Sequence, residues 1–321
     1  MFPQSLSRMS DWITPHQRLQ WQMSLELRLR KLHGDGFQDF FATVMERGHG
    51  TDFVRIRPMG SIGDKGCDGY LRSSGQLFQC YGKHHDSPTS TPTIVKKIAT
   101  DYATAAGKLP HLMREWHFVH NLVDGMPIEG TEKLEELERA HPKHRFGFIG
   151  PPAFEERVFA LSEHHINALL GPVATAEDSM NMRVEEVAHL MTAVIAGMDE
   201  PPFADARGNQ PPDDKLEFNQ IEGPWRRILK MSGANATIVA KYVDQHHDPE
   251  MGKRVAKVFS TRYAELDAEG HPPMVILTKL YEGITGIGSV TPDRQIAAQA
   301  LLSYLFAACD IFKDHPAKVA A

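Results

Sequence analysis

The stretch GDKGCDGYLRSSGQLFQCYGK, from Gly63 to Lys83, combines a glycine-rich acidic turn, a polar hairpin turn and a short β-run. Glycine tolerates positive φ angles, so three glycines within seven residues let the backbone bend sharply and aim the carboxylates between them at one point. Ser73 to Gly75 has the composition of a hairpin turn, and Gln76 to Tyr81 (QLFQCY) that of its returning strand. The stretch therefore predicts two antiparallel strands that follow an acidic turn.

The side chains of this stretch suit phosphodiester chemistry. Asp64 and Asp68 offer the oxygen ligands that a hard divalent cation such as Mg²⁺ or Mn²⁺ prefers. Because strand side chains alternate between faces, Gln79 and Tyr81 share one face, and Lys83 joins them if the strand continues that far. Phosphodiester hydrolysis needs a metal ion that activates water and a cation that stabilises the developing charge. The pattern thus predicts a metal-dependent nuclease centre.

The flanking segments predict a mixed α/β domain. A helix is predicted over residues 36–48 (GFQDFFATVMERG), where Phe37, Phe40 and Phe41 recur at helical spacing. Phe78 and Cys80 lie on the face of the strand opposite to Gln79 and are expected to face the core. Further strands are predicted at residues 52–56, 116–120 and 145–149, and further helices at residues 93–107 and around 133–139. The order is helix, strand, hairpin, helix, strand.

These residues and this order resemble the PD-(D/E)XK, or restriction-endonuclease-like, nucleases, in particular the Mrr-type enzymes in which glutamine replaces the second acidic ligand. The resemblance implies a core with a mixed central sheet flanked by helices. It also implies that Asp68 is the metal-binding aspartate and that Gln79 occupies the second-ligand position, with Asp64 in a supporting role. The family usually adds an acid from its first helix, where Gln38, Asp39 and Glu46 lie on the polar face, and Glu46 is the residue named for this position.

The chain departs from the family pattern at the lysine. The family has lysine two residues after the second ligand, and this chain has Tyr81 there. Lys83, further along the strand, or Lys65, from the turn, would have to supply the positive charge, and the sequence leaves both open. The departure also keeps open a catalytically silent adaptor that retains the nuclease fold and acts by binding partners.

Composition excludes several other classes of protein. The 321 residues are 41% hydrophobic and 24% charged, as in ordinary globular proteins, and the net charge of −6 argues against a protein that coats DNA through bulk electrostatics. Three cysteines without CxxC spacing indicate neither a disulfide framework nor a zinc cluster, and no P-loop motif is present. No apolar run is long enough to span a bilayer, and we expect a cytoplasmic location without membrane association.

Residues 199–214 (DEPPFADARGNQPPDD) have the composition of a linker, with four prolines and almost no apolar side chains. We therefore predict a nuclease-like α/β domain over residues 1–198 and a small all-helical C-terminal domain over residues 215–321. Helices are predicted at residues 223–232, 235–245, 249–265, 272–283 and 291–312. The last of these is expected to be apolar on one side.

The C-terminal segments carry a second resemblance. Four segments resemble the C-terminal domains of ABC-three-component defence systems: KLEFNQ (Lys215 to Gln220), the helix ending in Gln245, the tyrosine in Arg262 to Leu266, and LLSYLFAACDIF (Leu301 to Phe312). Lamassu-type anti-phage systems are one such case, in which a nuclease effector works with an ATPase similar to structural-maintenance-of-chromosomes (SMC) proteins and a small third subunit. The resemblance implies that the helical domain docks the chain on such partners.

The two resemblances together predict a Mg²⁺-dependent DNA endonuclease that serves as the effector of an anti-phage complex. Cleavage of both strands of a duplex favours at least a homodimer in the active state. Two alternatives remain: the silent adaptor, and a stand-alone restriction endonuclease, which the docking character of the helical domain disfavours.

Overall fold

The computed structural model describes residues 12–57, 66–84, 90–196, 211–286, 290–308 and 310–313. Contacts between residues divide the chain into two compact units. The first, the sheet unit, comprises residues 1–12 and 24–169. The second, the helical unit, comprises residues 13–23 and 170–321.

The described part of the sheet unit holds a five-stranded mixed sheet. Its strands are β1 (Phe53–Arg55), β2 (Gly69–Leu71), β3 (Gln76–Tyr81), β4 (Glu115–His120) and β5 (Arg145–Ile149), and they lie in this order across the sheet. The pairs β1/β2 and β2/β3 are antiparallel, whereas β3/β4 and β4/β5 are parallel. The predicted hairpin and the mixed α/β class are confirmed.

Helices cover both faces of this sheet. The helices with residues in the sheet unit are α1 (Pro15–Lys31, whose first part belongs to the helical unit), α2 (Gly34–His49), α3 (Thr91–Lys108), α4 (Ile128–Ala140), α5 (Pro151–Phe159) and α6 (Glu163–Leu170). On one face, Phe41 of α2 packs against Phe78 with ring centroids 5.4 Å apart. On the other, Ile94 and Ile98 of α3 pack in one cluster with Leu77. A short 3-10 turn over residues 50–52 joins α2 to β1.

Strand β3 is consequently buried on both faces. Phe78 and Cys80 lie in the core, as predicted. Gln79, however, is only 4% exposed. Helix α3 covers the face of β3 that carries Gln79, whereas the alternation of side chains alone suggests that this face is exposed to solvent. A central strand of a covered sheet does not show the simple alternation between a buried and a solvated face.

The helical unit surrounds one central helix. Its helices are α7 (Ala176–Met180), α8 (Val184–Ile195), α9 (Asp213–Phe218), α10 (Gly223–Met231), α11 (Gly233–Gln245), α12 (Met251–Ala268), α13 (Pro273–Thr285) and α14 (Pro292–Ala307). Every residue from 295 to 306 is buried, so α14 is enclosed all round rather than apolar on one side, and it ends five residues before the predicted end. A helix at the centre of a bundle needs no polar face. Among the described helices, none is both long and apolar enough to cross a membrane.

The helical unit begins earlier in the chain than the sequence indicated. Its core includes α7 and α8, since the Asn235 amide donates to the Ser179 carbonyl oxygen at 2.9 Å. The predicted boundary at residues 199–214 instead places α7 and α8 with the α/β domain, and most of that segment lies outside the described residues. A proline-rich linker composition marks a surface segment, and it does not show which core the preceding helices join.

An N-terminal segment completes the helical unit. The side chains of Gln20 and Gln299 exchange two hydrogen bonds, of 3.1 and 2.7 Å, and both residues are buried. The indole N–H of Trp21 donates to the carbonyl oxygen of Gly171 at 3.2 Å. Residues 13–23 are therefore part of this core, although more than a hundred residues separate them from the rest of it along the chain.

Three of the four segments that resemble defence-system domains meet in one place. Lys215 is fully buried, donates from Nζ to the Phe306 carbonyl oxygen at 2.5 Å, and lies 4.7 Å from the centroid of the Phe306 ring. The ring of Tyr263 lies 4.8 Å from that of Phe312. Lys215 thus donates to a carbonyl oxygen in the last turn of α14, which fixes the closing segment against α9.

A buried carboxyl in this region should make stability depend on pH. Burial raises the pKa of Asp310 from 3.8 to about 6, against the opposing charge of Lys215, and Oδ2 has no hydrogen-bond partner among the described residues. Because the pKa is raised in the folded state, the group destabilises the fold increasingly as pH rises through about 4 to 6. We expect Asp310→Asn to raise the midpoint of thermal unfolding near pH 7.5 and to change it little near pH 4. Calorimetry at the two pH values tests this, and an equal gain at both would contradict it.

Candidate metal centre

Asp68 and Gln79 lie at the same end of the β2/β3 pairing. Gly69 pairs with Phe78, and Asp68 and Gln79 are the next residues beyond this pair, one on each side. The backbone N–H of Asp68 donates to the carbonyl oxygen of Phe78, the residue that pairs with Gly69, at 2.8 Å. Both side chains are only 4% exposed. The hairpin therefore places two residues that are eleven positions apart in the sequence at one end of the paired strands.

The Asp68 carboxylate is held from two directions. Its Oδ2 accepts a hydrogen bond from the backbone N–H of Cys80 at 2.7 Å. The carboxylate oxygen takes the place of a backbone carbonyl of β2, which does not extend far enough to pair with Cys80. Its Oδ1 accepts from the Gln38 amide at 2.8 Å. An ionised carboxylate oxygen can accept a second partner, so these contacts orient Asp68 without exhausting its capacity as a ligand.

The amide oxygen of Gln79 is the unusual atom of this region. Oε1 is buried and has no hydrogen-bond partner among the described residues. A buried acceptor left unsatisfied costs about 1–3 kcal/mol, so such atoms call for an explanation, and a bound metal ion is one. An amide oxygen together with a carboxylate suits Mg²⁺ or Mn²⁺, which keep several waters and bind protein through only one or two oxygen side chains.

The donor set is small. Within the described ranges, no group of three or more His, Cys, Asp and Glu side chains could hold a metal ion. A metal here would be held by the Asp68 carboxylate and the Gln79 amide oxygen, with waters and substrate phosphate oxygens in the remaining positions. Asp64 and Lys65, also named from the sequence, lie outside the described residues.

The side chain that α2 contributes to the centre is Gln38. The carboxylate of Glu46, the residue named from the sequence, forms two hydrogen bonds with the Arg55 guanidinium, at 2.9 and 2.7 Å. Gln38 instead reaches Asp68. Both residues lie on the polar face of the helix in the sequence, and only the tertiary contact between α2 and the start of β2 distinguishes them.

Lys83 does not continue the strand. Strand β3 ends at Tyr81, and the backbone of Lys83 is held by the side chain of Asn121, which accepts from its N–H at 2.8 Å and donates to its carbonyl oxygen at 2.9 Å. Asn121 is fully buried and also donates to the Leu32 carbonyl oxygen at 2.7 Å. Lys83 therefore does not extend β3, and the prediction that it shares a strand face with Gln79 and Tyr81 is wrong. Sequence reasoning missed Asn121, whose only signal is its position directly after β4.

The residues beside Gln79 on the α3 side of the sheet carry no positive charge at neutral pH. Tyr81 stacks on Phe118 with ring centroids 5.7 Å apart, and burial raises the pKa of its phenol. His120, paired with Tyr81 across β3 and β4, accepts from the Leu122 N–H at 3.2 Å, and burial lowers its pKa to about 4. Tyr81 and His120 are thus both neutral, and neither replaces the family's lysine.

Comparison with known protein families identifies the C-terminal part of the chain. Residues 198–313 match the family model of C-terminal domain 10 of the ABC-three-component systems. The match confirms the resemblance of the closing helices to such domains and supports membership of the chain in a defence system of this kind. No curated protein and no solved structure matches the chain.

Proposed function

We propose that this chain is a metal-dependent DNA endonuclease that acts as the effector subunit of an ABC-three-component defence system. The observation that carries the proposal is the amide oxygen of Gln79, which is buried without a hydrogen-bond partner among the described residues, at the same end of the β2/β3 pairing as Asp68. The resemblance of these residues and of the element order to restriction-endonuclease-like nucleases supports the same activity.

Each residue of the centre has a defined task. Asp68 and Gln79 would hold the metal, and Gln38 and the Cys80 N–H orient the carboxylate before substrate arrives. A bound Mg²⁺ or Mn²⁺ lowers the pKa of a water molecule and acts as a Lewis acid on the phosphate. Because Asp68 and Gln79 are anchored by a buried hairpin, the ligand geometry is fixed by the fold.

The C-terminal match supports partners within the same system. We infer that the helical unit docks the chain on an SMC-like ABC ATPase and a small accessory subunit, since ABC-three-component systems have several components. Cleavage of both strands of a DNA duplex favours two centres, so we infer that the active form is at least a homodimer. The ATPase would sense the foreign DNA and this chain would cut it.

Plasmid cleavage by the full-length chain tests the proposal. The purified protein, alone and together with the subunits encoded beside it, would be incubated with supercoiled plasmid in Mg²⁺, Mn²⁺ or EDTA. We expect nicked or linear products with either metal and none in EDTA. Cleavage that persists in EDTA would contradict a metal-dependent mechanism, and no cleavage under any condition would contradict the endonuclease assignment.

A catalytically silent adaptor is the alternative that one observation favours. Tyr81 stands where the resemblance places lysine, and its neighbour His120 is neutral as well. An adaptor would form the complex with its partners and would leave plasmid intact in every metal. Co-purification with the partner subunits without cleavage would support this alternative.

A further inference from the structure

The centre at Asp68 and Gln79 still needs a source of positive charge. In hydrolysis, a water oxygen forms a bond to phosphorus while the bond from phosphorus to one ester oxygen breaks. The water loses one proton to solvent and the leaving oxygen gains one, so nothing is oxidised or reduced. Negative charge develops on the phosphate oxygens, and a nearby cation lowers the barrier. Tyr81 occupies the position where the family has lysine, and Lys83 is not part of the strand.

Helix α3 passes over this side of the sheet. Its residues Ile94, Ile98 and Tyr102 are buried against the sheet, and Tyr81 packs against the same cluster. Lys97 lies one residue before Ile98, at the edge of this buried stripe. Its ammonium pairs with the Asp101 carboxylate one turn later at 2.7 Å, and about a third of its side chain is exposed. Lys97 is thus ordered by Asp101 yet still open to a ligand.

Close contact with the segment before Asp68 shows which way this edge of α3 faces. Gly66 has a φ of +74°, and a Cβ added there would lie 2.5 Å from the carbonyl oxygen of Asp101 and 3.2 Å from the backbone nitrogen of Ala105. The backbone two residues before Asp68 therefore rests directly on α3, one turn beyond Lys97. Lys97 and Asp101 lie one turn apart on the same edge of α3, so Lys97 faces the segment that leads into Asp68.

We propose that Lys97 supplies the cation that contacts the scissile phosphate beside Asp68 and Gln79. This inference rests on the proposed function, because the lysine has no task without a phosphodiester substrate. The charge comes from the helix that follows the hairpin, which explains why Tyr81 can occupy the position two residues after Gln79. Substrate phosphate would compete with Asp101 for the ammonium group.

Substitutions at two adjacent lysines test the assignment. Lys97→Ala and Lys97→Arg would be compared with Lys96→Ala, because Lys96 is the next lysine on the same helix and is exposed. Asp68→Asn serves as the reference for loss of the metal centre. All are full-length chains with their partner subunits, and alanine is a good helix former, so α3 should persist. The readouts are the rate of plasmid cleavage in Mg²⁺ and the affinity for a DNA duplex in Ca²⁺.

We expect Lys97→Ala to lower the cleavage rate about 100-fold or more, because a donor that stabilises transition-state charge is typically worth that much. Duplex affinity should fall less than about threefold, since one phosphate contact contributes little to the total. Lys97→Arg should recover part of the rate and Lys96→Ala all of it. If Lys97→Ala cleaves as fast as Lys96→Ala while Asp68→Asn is inactive, the lysine assignment is overturned and the proposed function stands. If the wild-type protein is inactive, or if Asp68→Asn cleaves as fast as wild type, both the lysine assignment and the proposed function are contradicted.

Discussion

Asp68→Asn is expected to lower metal-dependent DNA cleavage by about 10³-fold or more, because the metal's stabilisation of the transition state is worth several kcal/mol. The amide keeps an oxygen that accepts from the Cys80 N–H. Gln38 can rotate its own amide and offer an oxygen to the new NH₂ group. The substitution therefore removes the negative charge and retains the local hydrogen bonds. The cleavage rate reports the role of Asp68 as a metal ligand, and the midpoint of thermal unfolding reports its role as a hydrogen-bond acceptor. Both would be measured on the same samples.

Two further variants make this experiment specific. Asp68→Ala removes both acceptors and leaves the Cys80 N–H and the Gln38 amide short of partners, so it should also destabilise the fold, by about 1–3 kcal/mol for each group left unsatisfied. Asp35→Asn changes an exposed aspartate in the first turn of α2 and should leave cleavage unchanged. A fully active Asp68→Asn protein would show that the Asp68 side chain only accepts hydrogen bonds at the end of β3 and does not bind the metal.

Trp21→Ala is expected to destabilise the helical unit by about 3–5 kcal/mol, the usual cost of truncating a large buried aromatic side chain. Trp21 is 1% exposed and its indole N–H bonds to Gly171, so the variant leaves a cavity and an unpaired carbonyl. Gln20, the preceding residue, is paired with Gln299 of the central helix. Hydrogen exchange of the α14 backbone amides should therefore become faster in the variant.

Trp12→Ala is the matched control for this prediction. Trp12 is 38% exposed and belongs to the sheet unit, so its removal should leave exchange in α14 unchanged. Equal protection of α14 in wild type and Trp21→Ala would contradict a structural role for residues 13–23 in the helical core. The same result would favour a C-terminal domain that folds without this segment.

Local signals in the sequence were sufficient for most elements of the sheet unit. Strands β3 and β5 occupy the predicted residues, because hairpin turn residues and short apolar runs are encoded within a few positions. Helices α2 and α3 extend the predicted ranges by only one or two residues at each end. The membership of residues 13–23 in the helical unit could not be predicted, since it depends on partners such as Gly171 and Gln299 that lie far away in the chain.

The candidate centre shows the same division. The sequence was sufficient to predict the hairpin that places Asp68 and Gln79 at one end of the β2/β3 pairing, because the turn residues and the returning strand are local signals. Two features depend on how α2 and α3 pack on the sheet: that Gln38 rather than Glu46 contacts Asp68, and that the edge of α3 with Lys97 and Asp101 faces the segment before Asp68. Periodicity identifies the polar face of a helix, and it does not identify the one polar side chain that reaches a neighbouring strand.

Metal binding tests the central claim most directly, because it requires neither turnover nor an activating signal. Mn²⁺ would be titrated into the full-length chain with its partner subunits and a phosphorothioate DNA duplex that resists cleavage, and bound Mn²⁺ would be counted by electron paramagnetic resonance. We predict at least one bound ion per chain in wild type, and loss of that ion in the Asp68→Asn, Gln79→Leu double variant. Equal Mn²⁺ binding by the two proteins would contradict a metal centre at Asp68 and Gln79.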